Sequence, residues 1–277
     1  MDSQQPKVEM PGAVLTSLLG TKTMLNVSFP YLPLTAQKPI EWPTDQSMKS
    51  ESLPFTIRVV SNVSDLEKAV RIRHAAYMRH VPQFAESLRV PEGSDAEDGV
   101  IVLLAESKFD GAPVGTMRIH TNEFAPLPLE QAVTLPEPLD GKRLAEATRL
   151  GVTQERVGRM VTTSLFKAFF LYCQKHHVDR MVIAARSPVD RHYDRLLFKD
   201  VYPELGYVPF KHVGSMPHRV MSFDVAAAYD LWLKEKHPLF NFVFRTYHQD
   251  IDVSTITLYQ SRVPRVVQEV QAVAMTG

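Results

Sequence analysis

From Pro54 onward the apolar positions fall into two rhythms, one of period two and one close to 3.6. Residues 55–61 (Phe-Thr-Ile-Arg-Val-Val-Ser) alternate and are β-branched, which predicts a strand. Ser64 is followed three residues later by Glu67, a capping-box pattern. Leu66, Ala69, Val70 and Ile72 then continue at helical spacing to Ala76 and Tyr77. Residues 100–106 and 114–120 read as strands, joined by a turn whose signal is Asp110-Gly111. Another strand is predicted over 144–152. The helical rhythm returns through Val161, Leu165, Ala168, Phe169 and Tyr172 and stops near His176-His177, where cations suit the negative helix end. A strand over 181–185, a short helix over 190–198 and an antiparallel pair over 207–213 and 219–225 follow. The order is strand, helix, three strands, helix, strand, helix, two strands, which is an α/β (α+β) plan.

The two ends read differently. Residues 1–54 hold seven of the 20 prolines and form a proline-rich extension, since proline fixes φ and removes a donor. Within it, residues 24–34 are apolar and aromatic (Val27, Phe29, Tyr31, Leu32) and are expected to lie along the body of the protein. Residues 226–277 add a helical rhythm through Tyr229, Trp232, Phe240, Phe244 and Tyr247, which predicts burial, and then a valine-rich tail. The expected division is an extension over 1–54, a central domain over 55–225 and a helical C-terminal extension over 226–277.

Composition narrows the function. The 277 residues carry 31 Lys+Arg against 31 Asp+Glu, so the basic excess on which nucleic-acid and membrane-surface binders rely is absent. No run of eighteen apolar residues occurs, so no bilayer span is expected, and the apolar stretch 12–20 is too short and weakly flanked for a signal peptide. The single cysteine, Cys173, excludes an intramolecular disulfide and a cysteine-rich zinc site and fits a reducing cytoplasm. The ten histidines give no metal signature: His176 and His177 are adjacent, and no His-Glu-x-x-His occurs. No Gly-x-Ser-x-Gly surrounds Ser187, so no serine nucleophile is predicted.

Four motifs carry the chemistry: Arg73-His-Ala-Ala-Tyr77, the acidic loop 92–99 with Asp95 and Asp98, Gly115-Thr-Met-Arg118, and Leu144-Ala-Glu146-Ala-Thr-Arg149-Leu-Gly-Val152. With the element order, they resemble the GNAT acyltransferase fold over residues 55–220. Within it they resemble one branch, the autoinducer synthases and the related N-acyl amino acid synthases. The chain departs from the autoinducer synthases in having Val81-Pro-Gln-Phe84 where they place a tryptophan, which favours the amino acid synthases. The resemblance implies a central mixed, mainly antiparallel sheet of about seven strands flanked by helices. It implies transfer of a long fatty acyl group to the α-amine of an amino acid, with an acyl-homoserine-lactone synthase, an acyl-CoA-dependent N-acyltransferase or a non-catalytic GNAT-like binding module as the alternatives. The donor would be a phosphopantetheine thioester on acyl carrier protein, with acyl-CoA as the alternative, and no cofactor or metal would be bound. The acyl-pantetheine arm would lie where the fourth and fifth strands splay, with a backbone N–H stabilising the oxyanion.

The same resemblance assigns candidate residues. Glu146 is the candidate general base, with Arg149 beside it. Burial beside Ala145 and Ala147 would raise the carboxyl pKa, and a buried ion pair with Arg118 or Arg149 is the alternative. Residues three apart on a strand face opposite ways, so Glu146 and Arg149 share a site only if a β-bulge intervenes. Arg73 and Arg118, with Arg149, would bind Asp95 and Asp98 and fold the acidic loop over the substrate; a solvated loop is the alternative. Acetyl-CoA enzymes of this fold use Gln/Arg-x-x-Gly-x-Gly/Ala after the fourth strand, whereas alignment on Gly158 puts Glu155 first and Met160 last. That favours a single phosphate over a pyrophosphate. Residues 141–200 hold 12 Lys+Arg against 6 Asp+Glu, and Arg156 and Arg159 stand where an acidic carrier would dock. Phe166, Phe169, Phe170 and Val182 are candidates for an acyl tunnel, with core packing as the alternative.

Overall fold

The computed structural model describes residues 48–210 and 213–254. In chain order these form β1 (Lys49–Ser50), β2 (Phe55–Val59), α1 (Val63–Met78), α2 (Pro82–Ala85), β3 (Val100–Ser107), β4 (Pro113–Thr121) and β5 (Leu144–Val152). They continue with α3 (Gly158–Lys175), β6 (Arg180–Ala185), α4 (Asp190–Arg195), β7 (Lys199–Asp200), β8 (Val208–Phe210) and β9 (Met216–Asp224). The last elements are α5 (Ala228–Lys234), α6 (Phe240–Phe244), β10 (Thr246–Tyr247) and β11 (Ile251–Asp252). Among the described residues the main sheet runs β11-β2-β3-β4-β5-β6-β9-β7, with β8 also on β9. Its pairs are antiparallel except β11–β2 and β5–β6. This is the mixed, mainly antiparallel sheet the sequence predicts. The apolar stretch 24–34 and the valine-rich tail lie outside the described residues.

The α1 N-cap differs from expectation. Asn62, not Ser64, caps the helix: its Oδ1 accepts the Asp65 N–H at 3.0 Å and its Nδ2 donates to the Asp65 carboxylate at 2.8 Å. Asparagine carries both a donor and an acceptor, so one side chain completes the exchange two residues earlier. α1 then packs on β5 at Gly151, where a Cβ would stand 3.1 Å from the Arg73 Cα. That close approach sets Arg73 against the sheet.

The expected acyl-tunnel side chains are core instead. Phe166 stacks on Trp232 at 5.7 Å and meets Phe223 edge-on, while Phe170 meets Phe244 edge-on at 5.2 Å. Phe169 is equally buried. The physical reason is the chain beyond β9: α5 and α6 close over α3 and bury its apolar face. Val182 lies in a second apolar cluster with Leu127, Leu129, Leu144 and Phe210. A buried ammonium completes the closure, as Lys167 Nζ donates to the carbonyls of Phe242 at 2.8 Å and Thr246 at 2.5 Å. Trp232 is fully buried and donates its indole N–H to the Leu196 carbonyl at 3.2 Å. Trp232→Ala is therefore expected to lower stability by about 3–5 kcal/mol, read as a lower urea midpoint.

Candidate active site

Three elements bring arginines to one buried point. Arg73 comes from α1, Arg118 from β4 and Arg149 from β5. Facing them is a 3-10 turn, Gly93–Ala96, in which the Asp95 carboxylate accepts the Glu92 N–H at 2.8 Å. Arg73 holds Asp95 through two bonds, 2.9 and 2.8 Å, and also reaches Glu92 at 3.1 Å. Arg118 Nη1 donates to Asp95 at 3.0 Å and Glu92 at 3.1 Å. Arg149 grips Glu92 with Nε and Nη2, both at 2.7 Å, and lies over the Phe84 ring. Burial pushes the Asp95 carboxyl up, but Arg73 and Arg118 outweigh it and bring it down to about 2. Burial, with Arg118 and Arg149, drives His120 down to about 3, so its ring is neutral and its Nε2 accepts from Arg118 Nε at 3.0 Å.

Asp98, expected in this network, is exposed; Glu92 stands in its place. The turn puts Glu92 and Asp95 on one side and ends at Ala96, and the chain leaves it extended at Glu97, with Glu97 and Asp98 exposed. The spacing of Glu92 three residues before Asp95, with glycine between, is the signal that could have found it.

The cleft follows from β5. Thr116 pairs Gly151 and Arg118 pairs Thr148, so β5 carries one extra residue, and Arg149 takes φ +54°. β5 and β6 are paired only as far as Ala147–Ile183, although both strands run on. Between the diverging ends lies a cavity of about 330 Å³, whose lining includes Tyr77, Arg79, Arg149, Arg186, Tyr193 and His218. Among the described residues that line it there is no Asp or Glu. An adjoining recess of about 50 Å³ shares Tyr77, Thr148, Arg149 and His218 and reaches Glu146. The bulge thus brings Glu146 and Arg149 to one site. Glu146 is 1% exposed, and its Oε2 accepts the Leu129 N–H at 3.0 Å. Among the described residues it forms no ion pair with Arg118 or Arg149, both of which are engaged by Glu92. Burial raises its pKa to about 8.

The remaining predicted residues lie apart. Arg156 and Arg159 are exposed at the start of α3 and line neither cavity, nor do Phe166, Phe169, Phe170 and Val182. Gly158 is a packing glycine, because a Cβ there would stand 2.3 Å from the Thr153 carbonyl oxygen. His218, Arg79 and Arg186 carry no motif and were invisible to sequence reading. Among the described residues no cluster of His, Cys, Asp and Glu could hold a metal ion, and no helix is long and apolar enough to cross a membrane.

A mainly antiparallel sheet opened at one parallel pair, with a cavity in the opening, is the GNAT fold, and the family match over residues 68–214 makes the chain an acyltransferase of that fold. Residues 68–214, just over half of the sequence, match the N-acyl amino acid synthase FeeM family, and the chain belongs to that family. Among solved structures it is similar to FeeM, an N-acyl amino acid synthase from uncultured soil microbes. The TM-score is 0.51 and the identity 18%, over 65% of this chain and 96% of that one. It is also similar to BjaI, a CoA-dependent acyl-homoserine lactone synthase solved with MTA, at TM-score 0.47 and 17% identity, over 76% and 98% of the two chains. No curated protein matches the sequence.

Removing one partner of the buried network leaves charge uncompensated. Asp95→Asn is expected to destabilise the protein by about 3–5 kcal/mol, read by denaturant unfolding at neutral pH. The difference should shrink as pH falls below 3.8 toward about 2, where the native carboxylate is protonated too.

Proposed function

We propose that the protein joins a long-chain fatty acyl group, carried as a phosphopantetheine thioester on an acyl carrier protein, to the α-amine of an amino acid. The observation that carries this reading is the cationic cavity between β5 and β6, lined by three arginines and, among the described residues, no carboxylate. Such a lining disfavours a polycationic acceptor and suits one that brings its own carboxylate. Arg149 commits Nε and Nη2 to Glu92 and keeps Nη1 for the cavity, where it pairs with the acceptor carboxylate. The amine nitrogen attacks the thioester carbonyl carbon, the C–N bond forms and the C–S bond breaks. Of the two protons the ammonium loses, one ends on the departing sulfur and one reaches solvent. Glu146 takes a proton through water in the recess, which has room for it. The β5 edge freed beyond Ala147 offers backbone N–H groups for the developing oxyanion.

The exposed Arg156 and Arg159 favour an acidic carrier over free CoA, because the loop around them carries Glu155 where a pyrophosphate cradle needs a neutral or basic residue. The single, buried cysteine suits a cytoplasmic setting.

Two experiments test this reading. Purified protein should turn over acyl carrier protein thioesters far better than the same acyl-CoA. Arg156→Glu with Arg159→Glu should raise KM for the carrier at unchanged kcat, with a loss that shrinks at high salt. Equal use of both donors by the native protein would remove the carrier from the reading. The second experiment concerns Glu146. Turnover should rise with pH through about 8 as this carboxyl ionises, and Glu146→Gln should flatten that rise. The same substitution has a stability signature. A carboxyl whose pKa rises from 4.5 to about 8 on folding stabilises fully below 4.5 and loses that contribution as pH climbs through 8. The native melting temperature should therefore fall over that window relative to the variant's.

A further inference from the structure

We propose that His218 is a second proton acceptor for amide formation, taking the amine's proton on the Nε2 that faces the cavity and its recess. The inference rests on the acyl-transfer reading above. His218 lies on β9, is 7% exposed, and lines both the main cavity and the recess that reaches Glu146. Its Nδ1 stands 2.7 Å from the Met216 carbonyl oxygen. A carbonyl can only accept, so Nδ1 carries the proton, and the neutral ring turns a lone pair on Nε2 toward the cavity. Among the described residues Nε2 has no hydrogen-bond partner. The Phe210 ring packs against the imidazole at 5.5 Å and 60°, which fixes its plane. Among the described residues no other histidine is so placed: His120 is engaged by Arg118, and His80 and His192 line the cavity without reaching the recess.

The groups facing His218 are Tyr77 from α1, Glu146 and Arg149 from β5, and Arg186 just beyond β6. Burial lowers its pKa from 6.5; the bond to the Met216 carbonyl opposes it, and Arg186 and Arg149 add smaller downward pulls. The ring is therefore neutral at pH 7, while burial keeps most of Glu146 protonated there. The acceptor ammonium loses one proton to solvent before attack, and its nitrogen then bonds the carbonyl carbon. The second proton passes from that nitrogen to Nε2. As the C–S bond breaks, the imidazolium returns the proton to sulfur, so thiol leaves and the ring is neutral for the next turnover.

The test compares native protein, His218→Asn and Glu146→Gln between pH 6 and pH 10, with the N-acyl amino acid and the released thiol both measured. Asparagine keeps a donor for the Met216 carbonyl but has no basic nitrogen. His218→Asn should lose about 10-fold at pH 7, where only about a tenth of Glu146 is ionised, with an unchanged melting temperature, and approach native turnover above pH 8 as Glu146 ionises. Glu146→Gln should differ in the shape of its profile, losing the alkaline rise that His218→Asn retains. His218→Ala, which opens space at the ring, should recover turnover at pH 7 with added imidazole. A native-like profile for His218→Asn overturns the inference, as does an equal loss at every pH that imidazole leaves unrepaired. If the native protein transfers no acyl group from any thioester to any amino acid, the acyl-transfer reading falls, and this inference with it.

Discussion

One extra residue in β5 sets the geometry on which the site depends. An uninterrupted strand would put Glu146 and Arg149 on opposite faces and would let β5 stay paired with β6 along its length. The bulge does neither. It turns Arg149 to φ +54°, a conformation that costs a non-glycine residue on the order of 1–3 kcal/mol. The two-pronged bond from Arg149 to Glu92 helps to offset that strain. The acidic turn is thereby more than a lid, because its carboxylate holds the bulge residue in place. Loss of Glu92 would release Arg149 from its bond and the bulge from its support together.

Burial acts on two carboxyl groups of this site with opposite results, and the difference lies in their neighbours. Asp95 sits between Arg73 and Arg118, and their attraction outweighs desolvation, so it stays ionised. Glu146 receives one backbone N–H and no guanidinium among the described residues, so desolvation prevails and its pKa rises. The arginines that could have neutralised Glu146 are engaged by the acidic turn. A structural anion and a titrating one thus coexist within one site. Without Glu92 and Asp95, Arg118 and Arg149 would be free to pair with Glu146 and hold it ionised, which would remove its capacity to exchange a proton near neutrality.

The sequence made the long elements readable and left the short ones hidden, for a physical reason. β2, β3, β4, β5 and α3 each bury an extended apolar pattern, and that pattern is what periodicity detects. β1, β7, β10 and β11 have two residues each, too few for any rhythm, and each exists only through a distant partner: β1 pairs β10, β11 pairs β2 and β7 pairs β9. The motif around Glu146 and Arg149 was legible, and so was the need for a bulge to unite them. The choice between Glu92 and Asp98 was not, because it depends on where the 3-10 turn ends and the chain becomes extended, at Glu97. Phe166 and Phe170 misled for the opposite reason: an apolar run looks the same whether it lines a tunnel or meets Trp232 and Phe244. His218 carries no local signature, since its importance comes only from β9 lying beside β6.

The aromatic packing that removed the phenylalanines from the cavity has a consequence for the site itself. A sheet opened between β5 and β6 has lost backbone pairing where it must keep its shape, so other contacts have to hold the two halves apart. α3 follows β5 and precedes β6, and it is fixed from behind by Trp232, Phe244 and the Lys167 ammonium. Trp232 also bonds the Leu196 carbonyl just past α4, and Tyr193 of α4 lines the cavity. The segment beyond β9 thus buttresses both the helix that begins at the cleft and one of its walls. Its rigidity is what lets the freed edge of β5 stay open to a ligand rather than collapse back onto β6, where the lost pairing would otherwise be regained.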